Sequence, residues 1–406
     1  MGKRKDNQPK RHCMIVYAYY PLGETRVQRE AESLIAHGYE VDLICPRMPS
    51  EVSTEICNGV HVYRMPTRRD LFVGILPAHK LWEYLLFFLM AMITLIFLYG
   101  RRRYGTIQVH NLPDFLVFVA WLPKLFGTRI MLDLHDLMPE FYISRYDKEP
   151  DSLAVKLVHV QESLSCRFAD HVITVSEHWR QWLIQRGVPA EKCSVVMNLA
   201  DPRIFHRPES LCPKPYSDGE FRLLYHGTVK KQYGLDLVVQ AVDRLRHDIP
   251  GIHCTIVGHG DEDYMVGLQQ LIAELELQDH VDFEIGARPI EEIPVLIMES
   301  DLGVVAYRSD PFTDGLLPTK LMEYAAMGLP SVAARTPAIK QYFENTMAEL
   351  FTPGDVDDLA RHILMLYRDR PRLEGLAQKA GIFNRRYNWP TEAEKYVKLV
   401  NQFAGQ

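Results

Sequence analysis

A segment near residue 320 combines groups that could hold a phosphate and a sugar. Thr319 and Glu323 are four residues apart, so on a helix they share one face near its N-terminus. The unpaired backbone N–H groups at that end attract anions such as a diphosphate, and a carboxylate one turn further along suits the two hydroxyls of a ribose. Pro318 predicts the first helical turn and Gly328 predicts the end of the helix. An ordinary helix with a solvent-facing glutamate is the alternative.

The composition indicates a large globular chain. At 406 residues the sequence is long enough for two domains of about 200 residues each. A hydrophobic fraction of 47% provides ample core, and a net charge of −6 gives no overall field that would attract nucleic acid. The cysteines are scattered without a CxxC pair, which favours a reducing compartment and argues against structural zinc. Residues 1–11 show no signal-peptide pattern, and we expect a disordered basic tail there.

Predicted strands and helices alternate from the first strand, 12–19, onward. That strand leads through Gly23 into an amphipathic helix and then into a strand at 41–45, a βαβ unit that predicts a parallel sheet covered on both faces. Gly23 is the only glycine of the turn, so the dinucleotide fingerprint GxGxxG is absent. Arg26 and Arg29 near the helix start could meet an anion, although a solvated surface position is the more common interpretation.

The segment 81–99 carries a single charged residue and is followed by Arg101, Arg102 and Arg103. Its length is near the minimum for a membrane span. A transmembrane helix would divide one predicted sheet between two sides of a membrane, which disfavours that interpretation. A helix buried in the domain is a second possibility. The aromatic residues and the arginines favour a third, a hydrophobic helix that enters the membrane surface at anionic headgroups, with Arg68, Arg69 and Lys80 extending the positive rim.

Polar clusters follow two successive predicted strands, 106–110 and 129–134. The first strand ends in His110 and leads into Asn111 and Asp114, and the second leads into His135 and Asp136. In open parallel sheets, ligands bind at the carboxyl ends of the strands. The histidines could act as an acid, a base or a group that orients a hydroxyl. The alternative for either is a simple hydrogen bond to a neighbouring loop.

The second half of the chain repeats this organisation after a linker predicted at residues 201–219, which are rich in Pro, Asp and Ser. The turn after the strand predicted at 221–225 could hold phosphates, although it lacks the Walker pattern. It offers Gly227, Thr228, Lys230 and Lys231, and two later strands end near Gly258 and Arg288. We therefore predict two Rossmann-like domains, 12–200 and 220–385, whose parallel sheets face each other across a cleft. We expect residues 386–406 to form a helix that packs back on the N-terminal domain.

Six motifs together resemble a known family. They are Thr25–Val27, Val109–Asp114, Leu132–Glu140, Ala169–Glu177, Tyr225–Thr228 and Lys320–Gly328. In these motifs nearly the whole chain is similar to the retaining glycosyltransferases of family 4 (GT4), which have the GT-B fold, and in particular to the bacterial polysaccharide-biosynthesis type. The resemblance implies that the C-terminal domain binds a UDP- or GDP-sugar donor without a metal or other cofactor. It implies that the N-terminal domain binds the acceptor.

The resemblance also assigns site residues. Glu323 matches the second glutamate of the paired-glutamate motif and is expected at the donor ribose, while Asp314 would substitute for the first glutamate, whose position holds a glycine. His110 is expected near the transferred sugar, so the implied catalytic residues are His110, Glu323 and Asp314. The implied donor-binding residues are Gly227, Thr228, Lys230, Lys231, Gly258, Arg288, Gly315, Leu316, Leu317, Thr319, Lys320 and Glu323. Those implied on the acceptor side are Gly23, Arg26, Asn111, Asp114, His135 and Asp136.

Two departures affect the diphosphate. The family usually carries an Arg after the glycine of the HG turn, or a Lys or Arg before the next glycine, and here these positions are Thr228 and Gln232–Tyr233. The leaving diphosphate would then be neutralised by Lys230, Lys231 or Lys320.

The implied reaction transfers a sugar, with retention, to a lipid-linked saccharide in cell-surface polysaccharide biosynthesis. We expect it on the cytoplasmic face of the bacterial inner membrane, with peripheral or monotopic membrane contact through residues 80–103 and no nucleic acid partner. A nucleotide-sugar epimerase of the same architecture and a catalytically weak nucleotide-sugar-binding protein are the alternatives. The missing GxGxxG disfavours a nicotinamide-dependent oxidoreductase.

Overall fold

The computed structural model describes residues 10–22, 25–67, 77–207 and 219–404 of the chain. Gly23, Arg68 and Arg69 lie outside these ranges, as do most of the predicted tail and linker and the side chain of Lys80. The chain divides into two compact units, with boundaries after Asn198 and before Pro390. The first unit contains the residues before the first boundary and those after the second, and the second unit contains the residues between them.

The first unit is built on a sheet whose described strands follow the order β3-β4-β2-β1-β5-β6-β7-β8. Neighbouring strands are parallel, apart from the antiparallel pair β3–β4. The strands are β1 (Lys10–Ile15), β2 (Tyr39–Pro46), β3 (Thr54–Cys57), β4 (Val60–Met65), β5 (Thr106–His110), β6 (Arg129–Leu134), β7 (His171–Thr174) and β8 (Cys193–Val195). The interior strands are buried along almost their whole length, because helices cover a parallel sheet on both faces.

The helices of the first unit connect these strands. They are α1 (Thr25–Ala36), α2 (Pro77–Arg102), α3 (Trp121–Leu125), α4 (Met138–Tyr146), α5 (Leu153–Phe168), α6 (Glu177–Gln185) and, at the end of the chain, α14 (Trp389–Ala404). The connection from β5 to β6 is not one apolar helix, as predicted, but a 3-10 helix at Asp114–Ala120 followed by α3. A continuous α-helix would lose a backbone hydrogen bond at Pro123, so a new helix begins two residues before it.

The second unit contains a parallel sheet whose described strands follow the order β11-β10-β9-β12-β13-β14. The strands are β9 (Phe221–His226), β10 (Ile252–Gly258), β11 (Val281–Ile285), β12 (Leu302–Val305), β13 (Ser331–Ala334) and β14 (Glu349–Phe351). The helices are α7 (Leu235–Leu245), α8 (Glu262–Glu274), α9 (Ile293–Glu299), α10 (Thr319–Met327), α11 (Pro337–Met347), α12 (Val356–Arg368) and α13 (Arg370–Arg386). Short 3-10 turns lie at Lys231–Tyr233 and Ile290–Glu292, as at Ala190–Lys192 in the first unit.

Helix α10 confirms the prediction made for the segment near residue 320. It begins at Thr319 directly after Pro318, and it ends at Gly328, whose φ of 71° is the left-handed conformation that glycine adopts without strain. Its inner face is buried on the sheet through Leu321 and Ala325. Because α10 connects the parallel strands β12 and β13, the backbone N–H groups of its first turn lie at the carboxyl-terminal edge of the sheet.

Gly258, at the end of β10, has no room for a side chain. A Cβ atom there would lie 1.8 Å from the carbonyl oxygen of Gly227, which follows the paired strand β9. Both residues belong to the backbone of the sheet edge, and Gly227 N–H donates a hydrogen bond to Val257 O at 2.9 Å. The glycine therefore fixes the close approach of the two strand ends.

We predict that Gly258→Ala destabilises the second unit by about 1–3 kcal/mol or prevents folding, because the added methyl must push backbone atoms apart. Gly267→Ala is the control, since that helical glycine has no atom within 4 Å of an added Cβ. It should raise the stability by about 0.5–1 kcal/mol. Urea unfolding measures both. Equal stability of the two variants would show that the strand ends separate freely.

Candidate active site

A buried salt bridge lies at the carboxyl ends of β5 and β6. Arg26 of α1 donates two hydrogen bonds to Asp133 of β6, from Nε to Oδ2 at 2.8 Å and from Nη2 to Oδ1 at 3.0 Å. His110, the last residue of β5, places Nδ1 2.9 Å from the same Oδ2. All three side chains are buried. This arrangement fixes the orientation of the imidazole through Asp133.

The network continues to the last helix of the chain. Arg26 Nη2 lies 3.1 Å from Glu30 Oε1, and Gln108 donates from Nε2 to Glu30 Oε2 at 2.7 Å. Tyr396 of α14 donates its hydroxyl hydrogen to Gln108 Oε1 at 2.6 Å. Side chains of α1, β5, β6 and α14 therefore share one set of buried polar contacts, and α14 helps to hold the residues around His110.

The electrostatics of this network favour one ionised carboxylate. Burial alone would raise the pKa of Asp133, but Arg26 and His110 hold it below its usual range. Burial raises the pKa of Glu30, although Arg26 opposes the change. Burial and the neighbouring His110 lower the pKa of His12 to about 3, so that imidazole is neutral. Asp133 is thus the principal counter-ion of Arg26.

Arg26 is buried, whereas the sequence predicted an exposed cation on the acceptor side. Its Nη1 donates to Val196 O at 2.8 Å, so each guanidinium nitrogen is engaged inside the protein. Arg29 is buried as well and donates from Nη2 to Asn198 Oδ1 at 2.6 Å. The physical reason is the pairing of Arg26 with Glu30 one turn later on the face of α1 that covers the sheet. The i, i+4 spacing and the acidic residue within β6 were the available sequence signals.

Four other acceptor-side residues are brought together by one amide. Asn111 Nδ2 donates to Asp114 Oδ1 at 3.0 Å and to Asp136 O at 2.5 Å, while its Oδ1 accepts from His135 N at 3.1 Å. The loops that follow β5 and β6 are thereby joined. Burial raises the pKa of Asp114 to about 7, with Glu140 adding to the shift and Asn111 opposing it. The two clusters lie at the carboxyl ends of neighbouring parallel strands, as the sequence predicted.

One group of side chains has the composition of a metal site. Ligand atoms of His110, Asp133 and His135 lie within 4.8 Å of one another. However, Arg26 already neutralises Asp133 through two hydrogen bonds, and a divalent cation would lie close to that guanidinium charge. These residues therefore fit a metal ion poorly. The independence from metals remains a prediction from the resemblance.

In the second unit, Lys320 of α10 lies among tyrosine rings. Its Nζ is 4.7 Å from the ring centroid of Tyr225, 5.3 Å from that of Tyr233 and 5.2 Å from that of Tyr307. It also donates a hydrogen bond to the Tyr307 hydroxyl at 3.1 Å. Burial lowers the pKa of Lys320 to about 8, with Glu323 acting in the opposite direction. The negative faces of the rings stabilise the ammonium form.

Glu323 lies one turn further along α10, beside His226 at the end of β9. The distance from His226 Nε2 to Glu323 Oε2 is 3.3 Å. Burial lowers the pKa of His226 to about 3, and the charge of Lys320 adds to this effect. A neutral imidazole thus borders the carboxylate, which is partly accessible. The proximity of Lys320, Glu323 and the turn after β9 agrees with a site for an anion and a polyol.

The glycine turn after β9, which was predicted to hold phosphates, is exposed to solvent. Gly227 and Thr228 are exposed, and a Cβ at Gly227 would lie 3.7 Å from Lys320 Nζ. Lys231 is exposed and Lys230 is half-buried. Within these described residues, Lys320 is the lysine whose ammonium lies against the turn itself.

Other predicted donor residues are engaged in the protein. Arg288 makes hydrogen bonds of 2.6–2.9 Å to Glu284, so an ion pair already uses its charge. Asp314 accepts from Ser309 Oγ at 2.8 and 3.0 Å. In the same segment Gly315 and Leu317 are buried, Leu316 is half-buried, and Thr319 is exposed at the start of α10. Among these residues Thr319 is therefore the exposed one, and Asp314 is half-buried like Leu316.

Sequence reasoning did not find the tyrosines around Lys320, His226 as a neighbour of Glu323, or Asp133 as the partner of His110. Tyr225 and His226 are the last residues of β9, and Tyr307 follows β12 shortly after its end. The available signal was their position at the carboxyl ends of adjacent strands. Their aromatic or neutral character gave no separate indication of a site.

Comparison with known families identifies the class of protein. Residues 23–198 match the family described as "Glycosyl transferase 4-like domain", and residues 212–381 match "Glycosyl transferases group 1". The chain belongs to the GT4-type glycosyltransferases, and it is a glycosyltransferase of the GT-B fold. Both matches describe sugar transfer, so they do not favour an epimerase.

Individual relatives agree with this assignment. The chain is 29% identical over 198 residues to the amylovoran biosynthesis glycosyltransferase AmsK of Erwinia amylovora, which covers 48% of this chain and 47% of that protein. It is 22% identical over 404 residues to the chitobiosyldiphosphodolichol beta-mannosyltransferase of Candida albicans. This match covers 93% of this chain and 85% of that protein. The matched region thus spans about half the length of AmsK.

Solved structures confirm the predicted fold. Sucrose-phosphate synthase from Thermosynechococcus elongatus is similar with a TM-score of 0.77 and 19% identity, covering 98% of this chain and 100% of that one. Anabaena Alr3699/HepE in complex with UDP-glucose is similar with a TM-score of 0.71 and 18% identity, covering 97% and 99%. At these identities the likeness establishes the GT-B fold alone.

We predict that Arg26→Met lowers the free energy of unfolding of the first unit by about 3–5 kcal/mol, because it leaves Asp133 buried without a cation. Lys156→Gln is the control, since its pair with Asp151 is exposed and should contribute about 0–1 kcal/mol. The double variant Arg26→Met/Asp133→Asn should recover part of the loss. Urea unfolding followed by circular dichroism measures all three. A loss below about 1 kcal/mol for Arg26→Met would contradict the counter-ion role.

Proposed function

We propose that this glycosyltransferase transfers a sugar from a UDP- or GDP-sugar to a lipid-linked saccharide, with retention of the anomeric configuration, in polysaccharide biosynthesis. The observation that carries the proposal is the position of Lys320. Its ammonium lies between the tyrosine rings and the exposed Gly227 turn, one helical turn from Glu323. No other described lysine combines this burial with this proximity to the turn.

Breaking the bond between sugar and diphosphate places negative charge on the leaving group. Lys320 and the backbone N–H groups at the start of α10 supply fixed positive potential at the same edge of the sheet. Thr319 is exposed there and can donate its hydroxyl hydrogen. These groups take the place of the metal ion that other transferases use for the leaving diphosphate.

Glu323 is proposed to accept hydrogen bonds from the donor ribose. Its carboxylate borders His226, which stays neutral because burial lowers the pKa of that imidazole. A cation at this position would compete with the ribose hydroxyls for the carboxylate. Asp314 is proposed to orient the donor sugar in place of the missing first glutamate, with Ser309 holding its carboxylate.

His110 is proposed to act beside the transferred sugar through its Nε2 atom. Asp133 binds Nδ1, so Nε2 is the atom left for the sugar, and in this conformation it lies 4.0 Å from Glu30 Oε2. The imidazole is buried in this conformation, and contact with the sugar requires the loops joined by Asn111 to open. Asn111, Asp114, His135 and Asp136 are proposed to form the acceptor side of the site.

The names of the relatives and the apolar helix α2 support the proposed class of acceptor. One relative is a chitobiosyldiphosphodolichol mannosyltransferase, and others are named for the biosynthesis of amylovoran and colanic acid. Leu81–Arg102 is long and apolar enough to cross a membrane, by length and composition. A lipid-linked acceptor at the cytoplasmic face of the bacterial inner membrane would place substrate and apolar helix in the same location.

Helix α2 has two different apolar faces. Phe87, Ala91 and Leu95 are buried on the first unit, and the Tyr17 hydroxyl donates to Glu83 at 3.1 Å. Only 28% of the apolar segment is buried. The outer face exposes between 36% and 69% of Leu81, Trp82, Leu85, Leu86, Leu89, Ile93 and Phe97. We propose that this face enters the membrane surface while the other holds the helix to the sheet.

We predict that UDP or GDP, but not NAD, raises the unfolding temperature by about 2–4 °C at a hundred times its dissociation constant. When the matching nucleotide sugar carries a label, the label should be transferred to a lipid in a lipid extract.

Lys320→Met should lower kcat/KM for the donor by about 100- to 1000-fold, because it removes a fixed charge at the leaving group. Lys231→Met is the control and should change it only slightly.

The pH dependence of kcat/KM tests the role of Lys320. Since the pKa of Lys320 is lowered to about 8, its charged form declines above that pH, and kcat/KM for the donor should fall there. Lys320→Met should lack this step. A thermal shift with NAD alone would overturn the proposed function. An unchanged profile in the variant would remove Lys320 from the mechanism.

We predict that the triple variant Trp82→Gln/Leu89→Gln/Ile93→Gln binds vesicles at least about tenfold more weakly, because its outer face loses apolar area. The control is Val266→Gln/Ile382→Gln, in which two residues of the second unit with about half of their surface exposed are changed in the same way. Sedimentation with vesicles measures the bound fraction. Unchanged binding of the triple variant would contradict the membrane contact of α2.

A further inference from the structure

Helix α5 carries a second exposed apolar stripe on the first unit. Leu153, Leu157, Val160 and Leu164 recur at spacings of four, three and four residues, so they lie on one face of the helix. Between 50% and 73% of each side chain is exposed. The opposite face, with Val155, Glu162 and Cys166, is buried. Contiguous exposed apolar side chains of this kind are uncommon on a monomeric surface and mark an interaction site.

The stripe belongs to the same helical layer as α2. The connections β4–β5, β5–β6 and β6–β7 all run in the same direction along the strand order. Because crossovers between parallel strands are right-handed, α2, α3 and α5 must cover the same face of the sheet. Helices α1 and α14 are on the other face, where Tyr396 reaches Gln108.

Aromatic contacts make this layer continuous. The rings of Tyr84 and Phe88 on α2 lie 6.4 and 6.1 Å from Phe115 of the 3-10 helix, and Phe118 lies 5.0 Å from Phe168 at the end of α5. Between α2 and α5, the short helix α3 and the residue that follows it expose Trp121, Leu125 and Phe126. The apolar surface therefore extends from α2 across α3 towards α5.

The exposed charges of these three helices are of one sign, and the exposed acidic residues nearby (Asp147, Glu149 and Asp151) lie in the loop before α5. The acidic residues of the described parts of α2, α3 and α5 are Glu83 and Glu162, and both are buried. The exposed charged residues of these helices and of the position after α2 are basic: Arg101, Arg103, Lys156 and Arg167. Arg101 lies 3.6 Å above the ring of Phe97, so cation and apolar surface adjoin directly. Apolar side chains bordered by exposed cations are complementary to an anionic lipid surface.

We propose that α5 is a second membrane-contacting helix and that α2, α3 and α5 together form one membrane-binding face for anionic bilayers. This inference rests on the proposed membrane contact of α2 and extends it to a part of the chain that no transmembrane or amphipathic pattern had indicated. Two separate points of insertion fix the orientation of the first unit on the membrane, whereas one helix would let it rotate about the helix axis.

A second copy of the chain is a less suitable occupant of the stripe. A symmetric antiparallel pairing of α5 would cover the stripe alone and leave the exposed apolar residues of α2 and α3 in water. A bilayer covers the exposed apolar residues of all three helices together. The exposed cations Lys156 and Arg167 are also favourable beside phosphate headgroups, so apolar area and charge both favour the membrane.

The test uses the full chain and sedimentation with vesicles of phosphatidylcholine alone or with added phosphatidylglycerol. Leu157→Gln/Leu164→Gln should reduce binding to the anionic vesicles by about tenfold. Lys156→Gln/Arg167→Gln should reduce binding to the anionic vesicles and leave the weaker binding to neutral vesicles unchanged. Val266→Gln/Ile382→Gln is the matched control, and an unfolding temperature equal to that of the unmodified protein shows that each variant is folded.

A second measurement reports the position of α5 without weakening the surface. In a Trp82→Phe/Trp121→Phe background, which removes the native tryptophans of the proposed face, Leu164→Trp should show a blue-shifted emission with vesicles and quenching by brominated lipids, and Val266→Trp should not. If the α5 variants bind as the unmodified protein does while the α2 triple variant does not, the inference about α5 is wrong and the proposed function stands. If the unmodified protein binds neither kind of vesicle, the inference about α5 and the proposed membrane contact of α2 both fail. A change in molar mass by light scattering in the α5 variant, with unchanged vesicle binding, would instead identify a second copy as the occupant.

Discussion

The salt bridge between Arg26 and Asp133 is the interaction on which the organisation of the first unit depends. A carboxylate inside a sheet is stable in its charged form only with a cation and hydrogen bonds at hand. Arg26 provides both, and His110 binds the same carboxylate from the neighbouring strand. Glu30 and Gln108 then connect this pair to Tyr396. The position of His110 is therefore set by charge and hydrogen bonds from four elements, and apolar packing alone would leave the imidazole free to turn.

In the second unit, the proposed function requires that a buried charge stay available to a ligand. A lysine paired with a carboxylate would already be neutralised before a diphosphate arrived. Lys320 is held instead by three neutral rings and a hydroxyl group. The cost of burial appears in its lowered pKa, and a diphosphate would reverse that shift by pairing with the ammonium. In the proposed function, this arrangement leaves the ammonium of Lys320 available to the leaving diphosphate.

The sequence predicts the regular parts of the fold well and the partners of the site residues poorly. Strands β5 and β6 have the predicted bounds, since each is an apolar run closed by polar residues. The hairpin β3–β4 was not predicted, because its edge strand is short and largely exposed. Lys320, Glu323 and His110 could be singled out from motifs, but Tyr225, Tyr307 and Asp133 are distant in sequence. Only the strand order brings them to these residues, and no local pattern contains that order.

The same topology accounts for the most unusual feature of the donor motif. Where the family usually has a basic residue before the second glycine of the turn, this chain has Tyr233. The ring of Tyr233 stacks on that of Tyr307 at 4.7 Å and lies 5.3 Å from Lys320 Nζ. A lysine there would bring a second ammonium towards a cation that is already poorly solvated, and the two would repel each other. The tyrosine stabilises the single remaining charge through its ring. The absence of the family's usual cation and the tyrosines around Lys320 are therefore compatible parts of one arrangement, in which the proposed function assigns the diphosphate to Lys320 alone.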